Sequence, residues 1–133
     1  MLKLNDLRVT ISGFNILRGV NLEISPGGLV LLAGRNGAGK TTTLKSIMGI
    51  LPLTAGSIHF DGEDILHVAA HLRAPLGIGY MPEERRLIGA LTVRDNILLP
   101  AWACKIETAD ERLDYIYRLM PELSPFVNRR ASM

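Results

Sequence analysis

Eight consecutive residues, Gly34-Arg35-Asn36-Gly37-Ala38-Gly39-Lys40-Thr41, have the types and spacing needed to hold a chain of phosphates. The glycines leave room for backbone N–H groups to converge on anionic oxygens. Lys40 adds a point charge near the outer phosphates, and the Thr41 hydroxyl is an oxygen suited to Mg²⁺. A helix opening at the end of the loop would aim the partial positive charge of its N-terminus at the same oxygens.

A strand leading in and a helix leading out would confirm such a loop. Gly28-Leu29-Val30-Leu31-Leu32-Ala33 is a continuous apolar run, the pattern of a parallel strand buried on both faces. After the loop, Leu44, Ile47, Met48 and Leu51 recur at helical spacing, with Pro52 just past the end and Gly49 before it. Strand, glycine loop and helix are therefore all expected in order.

Other residues offer weaker chemistry. His67 and His71 stand four apart on an expected helix and could chelate a metal, but no third ligand is evident, and a solvated face accounts for them. Glu63 and Asp64 form a carboxylate pair in an expected turn, better read as charge at a helix N-terminus. His59 reads as a half-exposed strand residue, and Trp102 as packing in a helical region. Cys104 is the only cysteine, which excludes an internal disulfide, fits a reducing cytosol and reads as a buried structural thiol.

The chain has 133 residues, enough for about one domain with a real core. Its net charge of +2 and scattered arginines form no basic tract, and only 5% of residues are aromatic, so a nucleic-acid surface is not expected. No apolar stretch approaches the ~20 residues of a membrane span, and Met1 to Asp6 contains no secretory segment. A cytosolic protein is expected, with any membrane role supplied by a partner.

The remaining elements read as follows. Leu7–Ile11 and Val20–Ile24 alternate as half-exposed strands of an antiparallel layer, and Ser25-Pro26-Gly27-Gly28 turns into the buried strand. Gly56–Phe60 predicts a strand turned by Asp61-Gly62, Asp64–Arg73 a modest helix stopped before Pro75, and Gly77–Met81 another strand ended by Pro82. Thr92 predicts a helix cap, with Asp95 in the first turn and Pro100 ending or kinking the helix near Ala101. Thr108-Ala109-Asp110-Glu111 reads as a capping box before Leu113, Ile116, Tyr117 and Met120, and Pro121 stops that amphipathic helix.

Taken together, these stretches resemble the nucleotide-binding subunits of ABC transporters over essentially the whole chain. Gly34 to Thr42 looks like the family's Walker A loop. Ser57-Ile58-His59-Phe60-Asp61-Gly62-Glu63-Asp64-Ile65 is similar to its hairpin after the first helix, and Gly77-Ile78-Gly79-Tyr80-Met81-Pro82-Glu83 resembles the strand leading into the Q-loop. Leu91-Thr92-Val93-Arg94-Asp95-Asn96 resembles the start of the helical subdomain, and Pro82-Glu83-Glu84-Arg85-Arg86 looks most like the ATPases of branched-chain amino acid importers.

The resemblance implies an α/β P-loop NTPase fold: an antiparallel β layer, a partial parallel core sheet and the start of a helical subdomain. It implies a RecA-like core over 1–91, a helical part over 92–133, and ATP with Mg²⁺ as ligands. Lys40 and Glu83 become catalytic candidates, and Thr41 and Glu83 metal candidates. Gly34, Arg35, Asn36, Gly37, Ala38, Gly39, Lys40, Thr41 and Thr42 would hold the phosphates. The position that usually stacks an aromatic on adenine falls at Ile11, which can pack on the base without aromatic stacking, with Phe14 as a substitute.

Implied partners are transmembrane permease subunits and a second ATP-binding subunit, with the protein at the inner face of the cell membrane through those permeases. Arg85 and Arg86 are candidates for the permease contact, with a solvated loop as the alternative. The family's Leu-Ser-Gly-Gly-Gln-type signature, Walker B aspartate, catalytic glutamate and switch histidine do not occur in the 133 residues. The chain therefore looks like the N-terminal half of a subunit, cut before its signature. It is expected to bind nucleotide with little hydrolysis of its own and to leave a sheet edge unpaired. A degenerate module that never hydrolyses ATP is the alternative.

Overall fold

The computed structural model describes residues 1–84 and 86–132, which divide into two compact units, Met1–Ile78 and Gly79–Met133. In the first unit, β1 (Leu2–Ile11) and β2 (Phe14–Ile24) form an antiparallel hairpin. Its turn is Ser12-Gly13, both at positive φ (+49° and +82°), the handedness that matches strand twist. β3 (Ala55–Phe60) pairs with the other edge of β1, and the two-residue β4 (Glu63–Asp64) pairs with β3 through Asp61-Gly62, giving the order β2-β1-β3-β4.

β1 is longer than its alternation suggests because its period slips once. Leu2 and Leu4 face the core, then Leu7 and Val9 do, and the register shift between Leu4 and Leu7 carries Asp6 at φ +48°. A bulge inserts one residue and restores the inward face. Leu4, Leu7, Val9, Leu17, Ile47, Ile58 and Ile65 make the buried cluster.

α1 (Lys40–Ile47) lies on this core through Ile47, with Thr43 and Ser46 also buried, while Leu44 is exposed. Its C-terminus is a Schellman arrangement. Gly49 at φ +67° donates to Ser46 O at 2.9 Å, and Ile50 N donates to Lys45 O at 2.9 Å. The helix therefore stops short of Leu51.

Two expected strands do not form. Residues 28–33 lie outside any strand, with Leu29 99% and Leu31 88% exposed, and 77–81 are likewise unpaired. A strand exists through its ladder, and no described residue offers either segment a neighbouring strand. The described sheet is wholly antiparallel.

The expected helix 64–73 shrinks to α2 (Ala70–Arg73). Glu63 and Asp64 are taken by β4, Ile65 N continues that pairing to Ile58 O at 2.9 Å, and Asp64 Oδ1 accepts from Leu66 N at 2.8 Å. The carboxylate shapes a turn instead of a helix start. His67 precedes α2 and His71 lies within it, so the two do not share a helix face.

The second unit is helical. α3 (Val93–Ala103) starts with a complete capping box: Thr92 Oγ1 accepts from Asp95 N at 3.0 Å and the Asp95 carboxylate accepts from Thr92 N. Pro100 sits inside the helix without ending it, forgoing one ladder bond while Cys104 N still reaches Pro100 O at 3.1 Å. α4 (Ala109–Leu119) has no capping bond from Thr108, whose backbone is out of cap geometry, and Pro121 opens a 3₁₀ segment, Pro121–Phe126. Leu98, Ala101 and Leu113 are buried. Trp102 is exposed and Cys104 half-buried, so neither is the core residue expected.

Candidate functional site

The segment between β2 and α1 takes its shape from two glycines. Gly37 and Gly39 sit at φ +84° and +91°, and between them Ala38 N donates to Arg35 O at 3.1 Å. At Gly39 space matters as much as angle: a Cβ there would lie 2.6 Å from Leu17 Cδ2 and 3.5 Å from Ile16 O. The loop is thus seated directly on β2.

α1 begins at Lys40, and Thr43 turns inward, its N–H and hydroxyl both donating to Gly39 O at 2.8 and 3.0 Å. Among the described residues, the amides of Gly37, Gly39, Lys40, Thr41 and Thr42 make no backbone hydrogen bond. The first turn of α1 contains no acidic residue, so nothing on it competes for the helix's positive end. The Lys40 ammonium curls over the loop and donates to Gly34 O at 2.7 Å and Arg35 O at 3.0 Å. Free amides and a cation held on the same loop suit an extended polyanion. The Thr41 side chain is exposed and Thr42 half-buried.

Ile11 pairs with Phe14 across the hairpin end, and both are exposed. Phe14 lies three residues along β2 from Leu17, about 10 Å at the rise of a strand, so the hairpin end and the loop share one strand. Glu83 belongs to the second unit, exposed in a turn with Glu84. Arg85 lies outside the described residues; Arg86 is exposed, its Nε 3.3 Å from Glu84 Oε2.

One residue that pattern reading passes over is Arg73, 2% exposed and surrounded by carbonyl oxygens. Burial lowers its pKa from the ordinary value. No local motif marks it, because its partners come from two stretches of chain, 46–47 and 65–68.

A glycine loop running into a helix that opens at a lysine is the arrangement of a P-loop, here accompanied by an antiparallel sheet. Residues 17–131 match the family profile described as ABC transporter. A probable branched-chain amino acid transport ATP-binding protein LivF of Archaeoglobus fulgidus is 32% identical over 131 residues, covering 98% of this chain and 56% of its own length. The lipopolysaccharide export system ATP-binding protein LptB of Escherichia coli K12 is 38% identical over 117 residues, 88% of this chain and 48% of its own. A solved dimeric ATP-binding cassette, in a post-hydrolysis state bound to ADP and Pi, matches with a TM-score of 0.80 at 25% identity, covering 98% of this chain and 62% of its own. The chain belongs to the ABC transporter family. It spans about half the length of the curated relatives it matches. No described helix is long and apolar enough to cross a membrane.

Proposed function

We propose that this chain is the nucleotide-binding part of an ABC transporter ATPase, gripping the triphosphate of ATP at Gly34–Thr42. The observation that carries the reading is the Lys40 ammonium held 2.7 and 3.0 Å from two carbonyls of its own loop, beside unpartnered amides at the start of α1. Those contacts keep the cation where phosphate oxygens would arrive, and the amides of Gly37, Gly39 and Lys40 orient the tail without reorganising. The exposed Thr41 hydroxyl is a fitting oxygen for Mg²⁺; Glu83 is proposed as a metal ligand from the family resemblance alone. When bound, the metal would neutralise charge on the outer phosphates. Ile11 and Phe14 offer apolar surface to the base. The reading divides the chain into a nucleotide core over 1–91 and a helical part over 92–133.

Coupling to import of a small solute, branched-chain amino acids, rests on the Pro82–Arg86 stretch and the likeness to the LivF protein; the LptB protein, named for export, is as similar. Permease subunits and a second ATP-binding subunit are the proposed partners, at the cytoplasmic face of the membrane. With no Leu-Ser-Gly-Gly-Gln-type sequence and no apolar run ending in Asp-Glu after Glu83, the 133 residues bind nucleotide with little turnover.

Calorimetric titration with Mg-ATP tests the reading. Heat is expected from the native chain and none from Lys40→Ala at the same concentrations. No heat from the folded native chain would refute nucleotide binding. Phosphate release that Lys40→Ala abolishes would refute binding without turnover.

A further inference from the structure

Arg73 has no carboxylate partner among the described residues. Instead, every nitrogen of its guanidinium donates to backbone carbonyls. Nε reaches Val68 O at 3.0 Å. Nη2 reaches Ile65 O at 2.8 Å and Leu66 O at 3.3 Å. Nη1 reaches Ser46 O at 3.3 Å and also Ile47 O. Ser46 and Ile47 are the last two residues of α1, whose first residue is Lys40. The other three carbonyls follow β4, where Ile65 is locked into the core at 1% exposure.

α1 has only eight residues, about 12 Å at the rise of a helix, and Ile47 is its only member of the buried apolar cluster. A helix so short and so lightly held depends on its ends for its direction. At the C-terminal end a cation meets the negative end of the helix dipole, giving Ile47 O a donor and Ser46 O a second one beside Gly49 N. Gly49 makes room for it: besides its φ of +67°, a Cβ there would lie 2.8 Å from Arg73 Cζ.

We propose that Arg73 is a positioning residue for phosphate binding, its guanidinium fastening the far end of α1 to the 65–68 segment and so fixing the aim of the Lys40 end. The proposal rests on the nucleotide reading above. It assigns Arg73 no contact with the ligand. The planar five-donor fork is what spans two chain segments at once, and a lysine ammonium cannot reproduce it.

The test compares Mg-ATP affinity of the full chain with that of Arg73→Lys, Gly49→Ala and Leu7→Ala. The last is a destabilising control in the sheet core, on β1. Arg73→Lys and Gly49→Ala are expected to weaken Mg-ATP binding about tenfold, the scale on which a supporting side chain acts. Leu7→Ala is expected to stay within about twofold while folded. Hydrogen exchange should quicken at the Thr43 amide, which is bonded to Gly39 O, in the first two variants and leave the β1–β3 ladder unchanged.

Arg73→Ala adds a sharper readout. It leaves a carbonyl-lined gap beside an open cavity of about 250 Å³, bordered by Gly49, Leu66, His67 and Val68. Low-millimolar guanidinium should therefore restore ATP binding in that variant. If Arg73→Ala does not fold, the lysine and Gly49 variants decide alone. Native chain that binds Mg-ATP while both variants bind equally well overturns the proposal and leaves the nucleotide reading standing. A matching loss in Leu7→Ala also overturns it. No binding by the native chain removes both.

Discussion

Gly37 and Gly39 share nearly the same backbone angle but differ in what surrounds them, so alanine at each separates conformational strain from crowding. At Gly37 a Cβ meets nothing within 4 Å, and the cost of Gly37→Ala is the left-handed backbone alone, about 1–2 kcal/mol. At Gly39 the same strain is joined by a Cβ 2.6 Å from Leu17 Cδ2. Leu17 is 3% exposed within the buried cluster, so its side chain must repack among core neighbours to admit the Cβ. Overpacking of this kind adds about 1–3 kcal/mol, so Gly39→Ala should be less stable than Gly37→Ala by that difference. Urea unfolding followed by circular dichroism measures it. A second arm isolates the contact: Leu17→Ala should cost about 1–3 kcal/mol less in the Gly39→Ala background than in the native one. Equal stability of the two glycine variants, or strict additivity with Leu17→Ala, would refute the seating of the loop on β2.

Lys40→Ala should abolish Mg-ATP heat while lowering the stability of the free protein by under about 1 kcal/mol, because its two hydrogen bonds are exposed; differential scanning fluorimetry alongside calorimetry checks both. Thr92→Ala should cost about 1 kcal/mol through loss of its capping bond, whereas Thr108→Ala, which has none to lose, should be near neutral in urea midpoints. The Tyr117 hydroxyl is buried with no hydrogen-bond partner among the described residues, and burial first of all raises its pKa above 10.0. The folded state then holds the proton more tightly than the unfolded one, so stability is full below that pH and falls as pH rises beyond it. Tyr117→Phe should flatten this alkaline loss and be neutral or stabilising by up to about 1 kcal/mol at neutral pH, read from melting temperature against pH.

Much of the candidate site is legible in the amino-acid order, because its residues are contiguous. Gly34 to Thr41 needs only its own backbone and the helix that follows, and the helix does open at Lys40. The Asp61-Gly62 turn and the Thr92–Asp95 cap are likewise closed within four residues. Local pattern misleads where a partner lies far along the chain. The 28–33 run has the composition of a buried strand, yet composition supplies no ladder, and the segment stays unpaired. Asp64 looks like the start of a helix until β3 captures it as a strand residue.

By itself, then, the sequence determined a glycine loop running into a helix, the Asp61-Gly62 turn and the Thr92 cap, since local hydrogen bonds and allowed angles decide these. Tertiary structure alone decided that Leu17 supports Gly39 and that β1 carries its bulge at Asp6. It alone brought Arg73 to the end of α1. Each of these joins residues well apart in the chain, and close packing in the folded core is what brings them into contact.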